Sequence, residues 1–268
     1  TSGATESANM VFHHFAETSS NNAPIWVSSI EHPCVIESAR QHFGDRVHWI
    51  PVTSDGVIDR HWIEERLQTE QPALITVMTA NNETGVLQPW REIQEICIAA
   101  KVPFFCDAAQ WIGKLPAAGI GACDFTSGCA HKFGGPKGVG FLKVPDKSPF
   151  RPMMHGGPQE EKRRAGTENV AGIISMMTAL RLREKALGES SDESRSQPRE
   201  DFEKQLLATL PDCRIIGHDT PRLWNTSMAI MPSVHCRARW VVKLDKLGVA
   251  VSTGSAWPVE MVAVSPRL

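Results

Sequence analysis

The chain has no apolar run approaching the roughly 20 residues that a bilayer-spanning helix needs. Its first ten residues, Thr1 to Met10, lack the basic flank and apolar centre of a secretory signal. It lacks a charge excess of either sign. The formal net charge is -2 over 268 residues, so electrostatics give no reason to expect nucleic acid or a membrane surface as partner. There is no CxxC pair, and the seven cysteines, at 34, 97, 106, 123, 129, 213 and 236, are odd in number. That argues against a disulfide framework and against a zinc site of common spacing, and no metal is expected. Scattered free thiols fit a reducing, cytoplasmic setting. Cys97, Cys106 and Cys123 stand in apolar segments and read as core residues. No internal repeat is present.

What is there is the composition of an ordinary soluble protein, 41% hydrophobic and 22% charged, long enough to bury a sizeable core. Short apolar runs recur with helical patterns between them. "PIWVSSI" (24–30), "VHWIPV" (47–52), "ALITVMT" (73–79), "VPFFCDA" (102–108), "ACDFTSG" (122–128) and "GVGFLKV" (138–144) read as strands. Most are continuous rather than alternating, as in a sheet buried on both faces. Helical patterns fit 6–17, 34–43, 60–67 and 89–100, and a long helix is expected over 169–187. This order predicts an α/β fold, a mostly parallel sheet sandwiched by helices, over residues 1–190. "GESSDESRSQPRE" (188–200) is polar and Pro-containing and predicts a surface turn or linker. After it, "DFEKQLLATL" reads as helix and "CRIIG", "NTSMAIM" and "VAVSTGS" read as strands. They predict a partial, small α+β C-terminal domain over 200–268.

Several stretches could carry chemistry. In "TSGATESANM" small hydroxyl residues and a glycine precede a helix whose free N–H groups would suit a phosphate, with Thr5 adding a hydroxyl; the same residues serve as an ordinary N-cap. Asp107 ends an apolar strand in "FFCDAAQWIGKLP". Ligands of open α/β sheets bind at such strand ends. A carboxylate there needs a cationic partner, for which a protonated pyridine nitrogen would serve, although a helix-capping Asp is equally consistent. "CAHKFGGPKG" places Lys132 beside His131 before a Gly-rich turn. A lysine amine can form a Schiff base with a carbonyl cofactor, or it can be an exposed turn residue. A P-loop is excluded, because Lys132 precedes the glycines. His32, in "EHPCVIES", follows a strand and could stack on a flat ring or merely start a helix. Asn82, in "MTANNETG", could bond a ring or a carboxylate or merely shape a turn. Together these residues fall at the ends of successive predicted strands.

Seven ordered stretches, "TSGATES", "EHPCV", "NNETG", "DAAQWIGKLP", "HKFGGPKGVG", "HGGPQEEKRRAGTEN" and "STGSA", span Thr1 to Ala256. They resemble cysteine desulfurases of the NifS/IscS type, class V aminotransferases with the fold-type I pyridoxal phosphate architecture. The resemblance implies pyridoxal 5'-phosphate as cofactor, L-cysteine as substrate, alanine as product and sulfur passed to an enzyme thiol. Lys132 would be the Schiff-base lysine. Ala4, Thr5, Cys129 and His131 would hold the phosphate. Asp107 would pair with the ring nitrogen, Gln110 would contact the ring hydroxyl, His32 would stack on the ring and move protons, and Asn82 would touch the ring or the substrate carboxylate. Thr167 would reach the phosphate of a partner subunit, which implies a homodimer. A sulfur-acceptor or scaffold protein, as in iron-sulfur cluster assembly, would be a further partner.

The sequence also departs from the family. Cys129 stands where the family has a phosphate-binding serine, and a thiol is the weaker donor. Trp257 stands where the family's "GSAC" loop has its persulfide cysteine. An indole cannot carry a persulfide. The expectation is therefore cofactor binding without persulfide formation. The alternatives are a pyridoxal phosphate-dependent C–S lyase that needs no enzyme cysteine and a non-catalytic remnant. The chain begins on Thr1 and ends on "SPRL", and both ends read as cut. They lack the family's N-terminal arm and the later segment with its carboxylate-binding arginine.

Overall fold

The computed structural model describes residues 1–20, 22–146, 149–231 and 237–252. A six-stranded sheet forms the centre, in the order β2-β1-β3-β4-β5-β6. Its strands are β1 (Ile25–Ser28), β2 (Val47–Ile50), β3 (Leu74–Thr76), β4 (Phe104–Asp107), β5 (Phe125–Cys129) and β6 (Gly140–Lys143). All neighbours run parallel except β6, which pairs antiparallel with β5. The expected α/β fold with a mostly parallel sheet is the one observed.

Each strand is short and apolar because both of its faces are covered. Along β1, Ile25 and Val27 join one core with Phe12, Val35, Leu74, Phe105 and Phe125. Trp26 points the other way, into a core with Ile50, Ile63, Ile75, Trp90, Ile93, Phe104 and Cys106. The two-residue alternation of strand side chains thus feeds two apolar layers rather than one layer and solvent. Cys97, Cys106 and Cys123 are buried in the second layer, as expected.

The helices α1 (Ala4–Thr18), α2 (Pro33–Phe43), α3 (Arg60–Arg66) and α4 (Trp90–Ala100) cover these faces. On α1 the buried Ala8, Val11, Phe12 and Phe15 recur at helical spacing. Phe12 meets Phe105 edge to face, with ring centroids 6.3 Å apart. α2 starts where the residue types dictate. Pro33 fills its first turn, and His32 caps it by accepting the Cys34 N–H on Nδ1 at 3.1 Å.

α5 (Val170–Gly188) is followed at once by α6 (Asp192–Thr209). This corrects the expected linker at 188–200: residues 192–200 are helical despite Pro198. The Ser191 hydroxyl accepts the Ser194 N–H, and Asp192 and Glu193 lie in the first turn, where the helix dipole favours acids. These signals outweigh the one helical hydrogen bond that proline removes. β7 (Arg214–Ile215) and β8 (Ala229–Ile230) form an antiparallel pair, and α7 (Arg237–Asp245) follows. "VAVSTGS" is not a strand over residues 249–252, and its remainder lies outside the described residues.

The segment after β7 is stitched to the hairpin that follows β3. Leu87 N–H donates to Pro221 O at 2.9 Å, and Leu223 N–H donates to Gly85 O at 2.8 Å. Beneath this seam Arg222 grips Glu203 of α6 through two bonds of 2.6 Å, with both side chains at most 3% exposed. No helix among the described residues is long and apolar enough to cross a membrane.

Candidate active site

The sheet order places β1 and β3 side by side with their crossovers leaving in opposite directions. A crevice opens at the carboxyl ends of strands at such a point. Here it is a cleft of about 360 Å³, within the range of small-molecule sites.

Nine of the ten predicted residues line it: Ala4, Thr5, His32, Asn82, Asp107, Gln110, Cys129, His131 and Lys132. Ala4 and Thr5 open α1, His32 follows β1, Asn82 follows β3, Asp107 and Cys129 end β4 and β5, and His131 and Lys132 follow β5. Thr167 is not in this cleft; it lies exposed in the loop before α5. Trp257 lies outside the described residues.

Asp107 is 4% exposed. Its Oδ1 accepts from the Ala109 N–H at 2.9 Å and from the Ser127 hydroxyl at 3.2 Å. Burial pushes its pKa up, against the Ala109 N–H, His32, Ser127 and Lys132, which pull it down. No Lys, Arg or His among the described residues comes within ion-pair distance of it. A buried carboxylate lacking a counter-charge is costly, and a cationic ring nitrogen in the cleft is the group that would relieve it.

Another part of the cleft lining suits an anion. α1 has no side-chain cap, and the first described bond of its ladder is Ser7 N–H to Gly3 O. The amides of the first turn are therefore free of helical acceptors. The His131 and Cys129 side chains meet nearby, Nε2 to Sγ 3.7 Å, and Lys137 also lines the cleft. Glu6, in that same turn, would repel an anion, but Arg164 Nε holds its carboxylate at 2.8 Å. Burial pushes the Glu6 pKa up, yet Arg164 and the Ser2 N–H bring it down to about 2. This pair spans 158 residues of sequence, and no local pattern announced it. The lining thus offers a buried carboxylate, free helix-start amides and the Lys132 amine in one cleft, a set that suits a molecule carrying both a basic ring and an anionic group.

His32 is held by its own capping bond. With Nδ1 accepting from the Cys34 N–H, a neutral ring carries its proton on Nε2. Burial lowers its pKa, Asp107 raises it and Lys132 lowers it further. The sequence marks Cys34 only as one of the scattered thiols, yet it lines the cleft with Sγ 3.0 Å from His32 Nδ1. Burial drives its pKa up to about 12, so it stays a thiol. Met78 and Ala80 also line the cleft; as apolar residues at a strand end they carry no sequence signal of a site. Among the described residues no cluster suited to a metal ion is found.

The family model for "Aminotransferase class-V" matches residues 1–264. A cysteine desulfurase of Klebsiella pneumoniae is 39% identical over 236 residues, covering 87% of this chain and 58% of the relative. One from Sinorhizobium fredii is 37% identical over 263 residues, covering 96% and 66%. The chain thus spans about three fifths of the length of the curated relatives it matches. A solved NifS-like protein of Rickettsia africae superposes with a TM-score of 0.84 at 29% identity, covering 95% of this chain and 69% of that one. DndA of Streptomyces lividans superposes with a TM-score of 0.79 at 31% identity, covering 94% and 72%. With its sheet, its cleft and a family match along nearly its whole length, the chain belongs to the class-V aminotransferase family, in the NifS-like branch of pyridoxal phosphate-dependent enzymes.

Proposed function

We propose that the cleft binds pyridoxal 5'-phosphate and that the protein acts on L-cysteine as a cysteine desulfurase-type enzyme. One observation carries this most: Asp107, a buried carboxylate without a counter-charge among the described residues, and a primary amine, Lys132, share one cleft at the ends of neighbouring strands. When bound, the cofactor supplies an electron-poor ring that takes up the electron pair released at the substrate α-carbon. The protein supplies everything around it. Lys132 offers its amine to the cofactor's aldehyde. Asp107 keeps a ring nitrogen charged, because the alternative is an isolated buried anion. The first amides of α1, Thr5, Cys129 and His131 receive the phosphate. His32 presents a neutral imidazole whose Nε2–H can be exchanged with substrate, and Asn82 and Gln110 orient what binds between them. Thr167, exposed on its loop, suits contact with the phosphate of a second copy, as in a homodimer.

The experiment is a spectrum. The protein supplied with pyridoxal phosphate is expected to develop a visible absorption band that is missing in Lys132→Ala. A parent protein without such a band contradicts cofactor binding. Trp257 favours a second reading of the chemistry. Without a thiol at that position, cysteine would be split to pyruvate, ammonia and sulfide rather than to alanine with sulfur held on the enzyme. Product analysis separates the two readings, pyruvate and ammonia for the lyase and alanine for the desulfurase.

A further inference from the structure

Lys114 is buried, 7% exposed, and does not line the cleft. It sits one layer behind it. Its Nζ donates to Oε1 of Gln110, four residues earlier, and Gln110 does line the cleft. Gly113 brings this turn close to the Lys132 segment. Its φ is +75°, and a Cβ there would fall 2.4 Å from Cβ of Phe133, so only glycine fits. The lysine is pinned on its other side as well, since its carbonyl accepts Trp224 Nε1–H at 3.0 Å.

An ammonium can only donate. The Gln110 atom facing Lys114 must therefore be the amide oxygen, and this settles an orientation that an isolated glutamine leaves open. Among the described residues the Gln110 NH2 has no hydrogen-bond acceptor, and it belongs to a cleft-lining side chain. We infer that Lys114 is a positioning residue: by occupying the Gln110 oxygen it turns the Gln110 NH2 toward the cleft as a fixed donor to an anionic oxygen on the bound ring. Burial, with help from Lys132 and Arg183 and against Cys129, lowers the Lys114 pKa to about 8. It therefore remains mostly ammonium at neutral pH and keeps its one-way role.

This inference rests on the cofactor reading, and its test separates the two. Dissociation constants are measured on the full chain for pyridoxal phosphate and for 3-deoxypyridoxal phosphate, which lacks the ring oxygen. The parent is expected to prefer pyridoxal phosphate by about tenfold, one buried hydrogen bond to a charged acceptor. Lys114→Met should keep its affinity for the deoxy compound and bring the preference to within about threefold, while Lys114→Arg, still a pure donor, should restore it. Gln110→Glu, which keeps a partner for Lys114 but has no N–H to offer, should also lose the preference, and this variant decides if Lys114→Met does not fold. A parent that binds neither compound overturns the cofactor reading and this inference together. A parent without preference, a Lys114→Met with the parent's preference, or one weakened equally for both compounds overturns this inference alone.

Discussion

At the scale of single residues, the site is governed by how buried charge is handled. Asp107 has no counter-ion among the described residues, whereas Glu6 has Arg164 and is held ionised. Glu31 is a third case. It is 4% exposed, its Oε1 accepts the Met78 N–H at 2.5 Å, and its Oε2 is buried without a partner. Burial, then the nearby Asp107 charge, push its pKa well above the usual carboxylate range. Burial thus favours its neutral form, and its Oε1 ties the loop carrying His32 to the residues just after β3. A raised acid contributes stability that is complete below its unfolded pKa and is lost as pH rises through the folded one. Glu31→Gln should therefore match the parent in thermal unfolding near pH 5 and become the more stable of the two by about pH 9. Parallel pH profiles for the two proteins would contradict this. Lys132 and Asp107 were legible only in company: each alone also suits a turn or a helix cap, but with His32, Asn82 and Thr5 they fall at successive strand ends, in stretches that resemble one family. Glu31 was only a letter beside His32, and Lys114 a letter near Gln110. Their burial is a product of the fold, although the four-residue spacing of Gln110 and Lys114 was a signal that could have been used.

At the scale of elements, the apolar runs and helical periods placed the strands and the early helices within a few residues, because each run is covered on both faces and bounded by turn residues. The second half of α6 is the expected helix, while its first half, residues 192–200, departs from the expected linker for a physical reason. Its outer positions are polar and it contains Pro198, so composition resembled a linker, while its stability comes from caps and from contacts distant in sequence. The chief of these is the Arg222–Glu203 pair, which anchors α6 to the strand-like segment sewn onto residues 85–87. Arg222→Met leaves a buried carboxylate alone and is expected to cost about 3–5 kcal/mol. Adding Glu203→Leu should recover most of that loss, as seen in chemical denaturation. A single variant as stable as the parent would show that the pair is not a support.

At the scale of the whole molecule, six short strands and their covering helices bring residues from position 2 to position 138 around one cleft. The α/β class was legible from alternation alone. The strand order was not, because continuous apolar strands fit many neighbours, and order decides which strand ends meet. Thr167 stands apart from this cleft, exposed in the loop before α5, and its proposed partner is the phosphate site of a second copy. In the proposed function this cleft holds pyridoxal phosphate through Lys132. The most direct measurement is to treat the cofactor-supplied protein with borohydride, digest it and locate the pyridoxyl group by mass spectrometry. The structure predicts the group on the peptide containing Lys132, at that residue. A group carried by Lys114 or Lys137 instead, or no modified lysine at all, would contradict it.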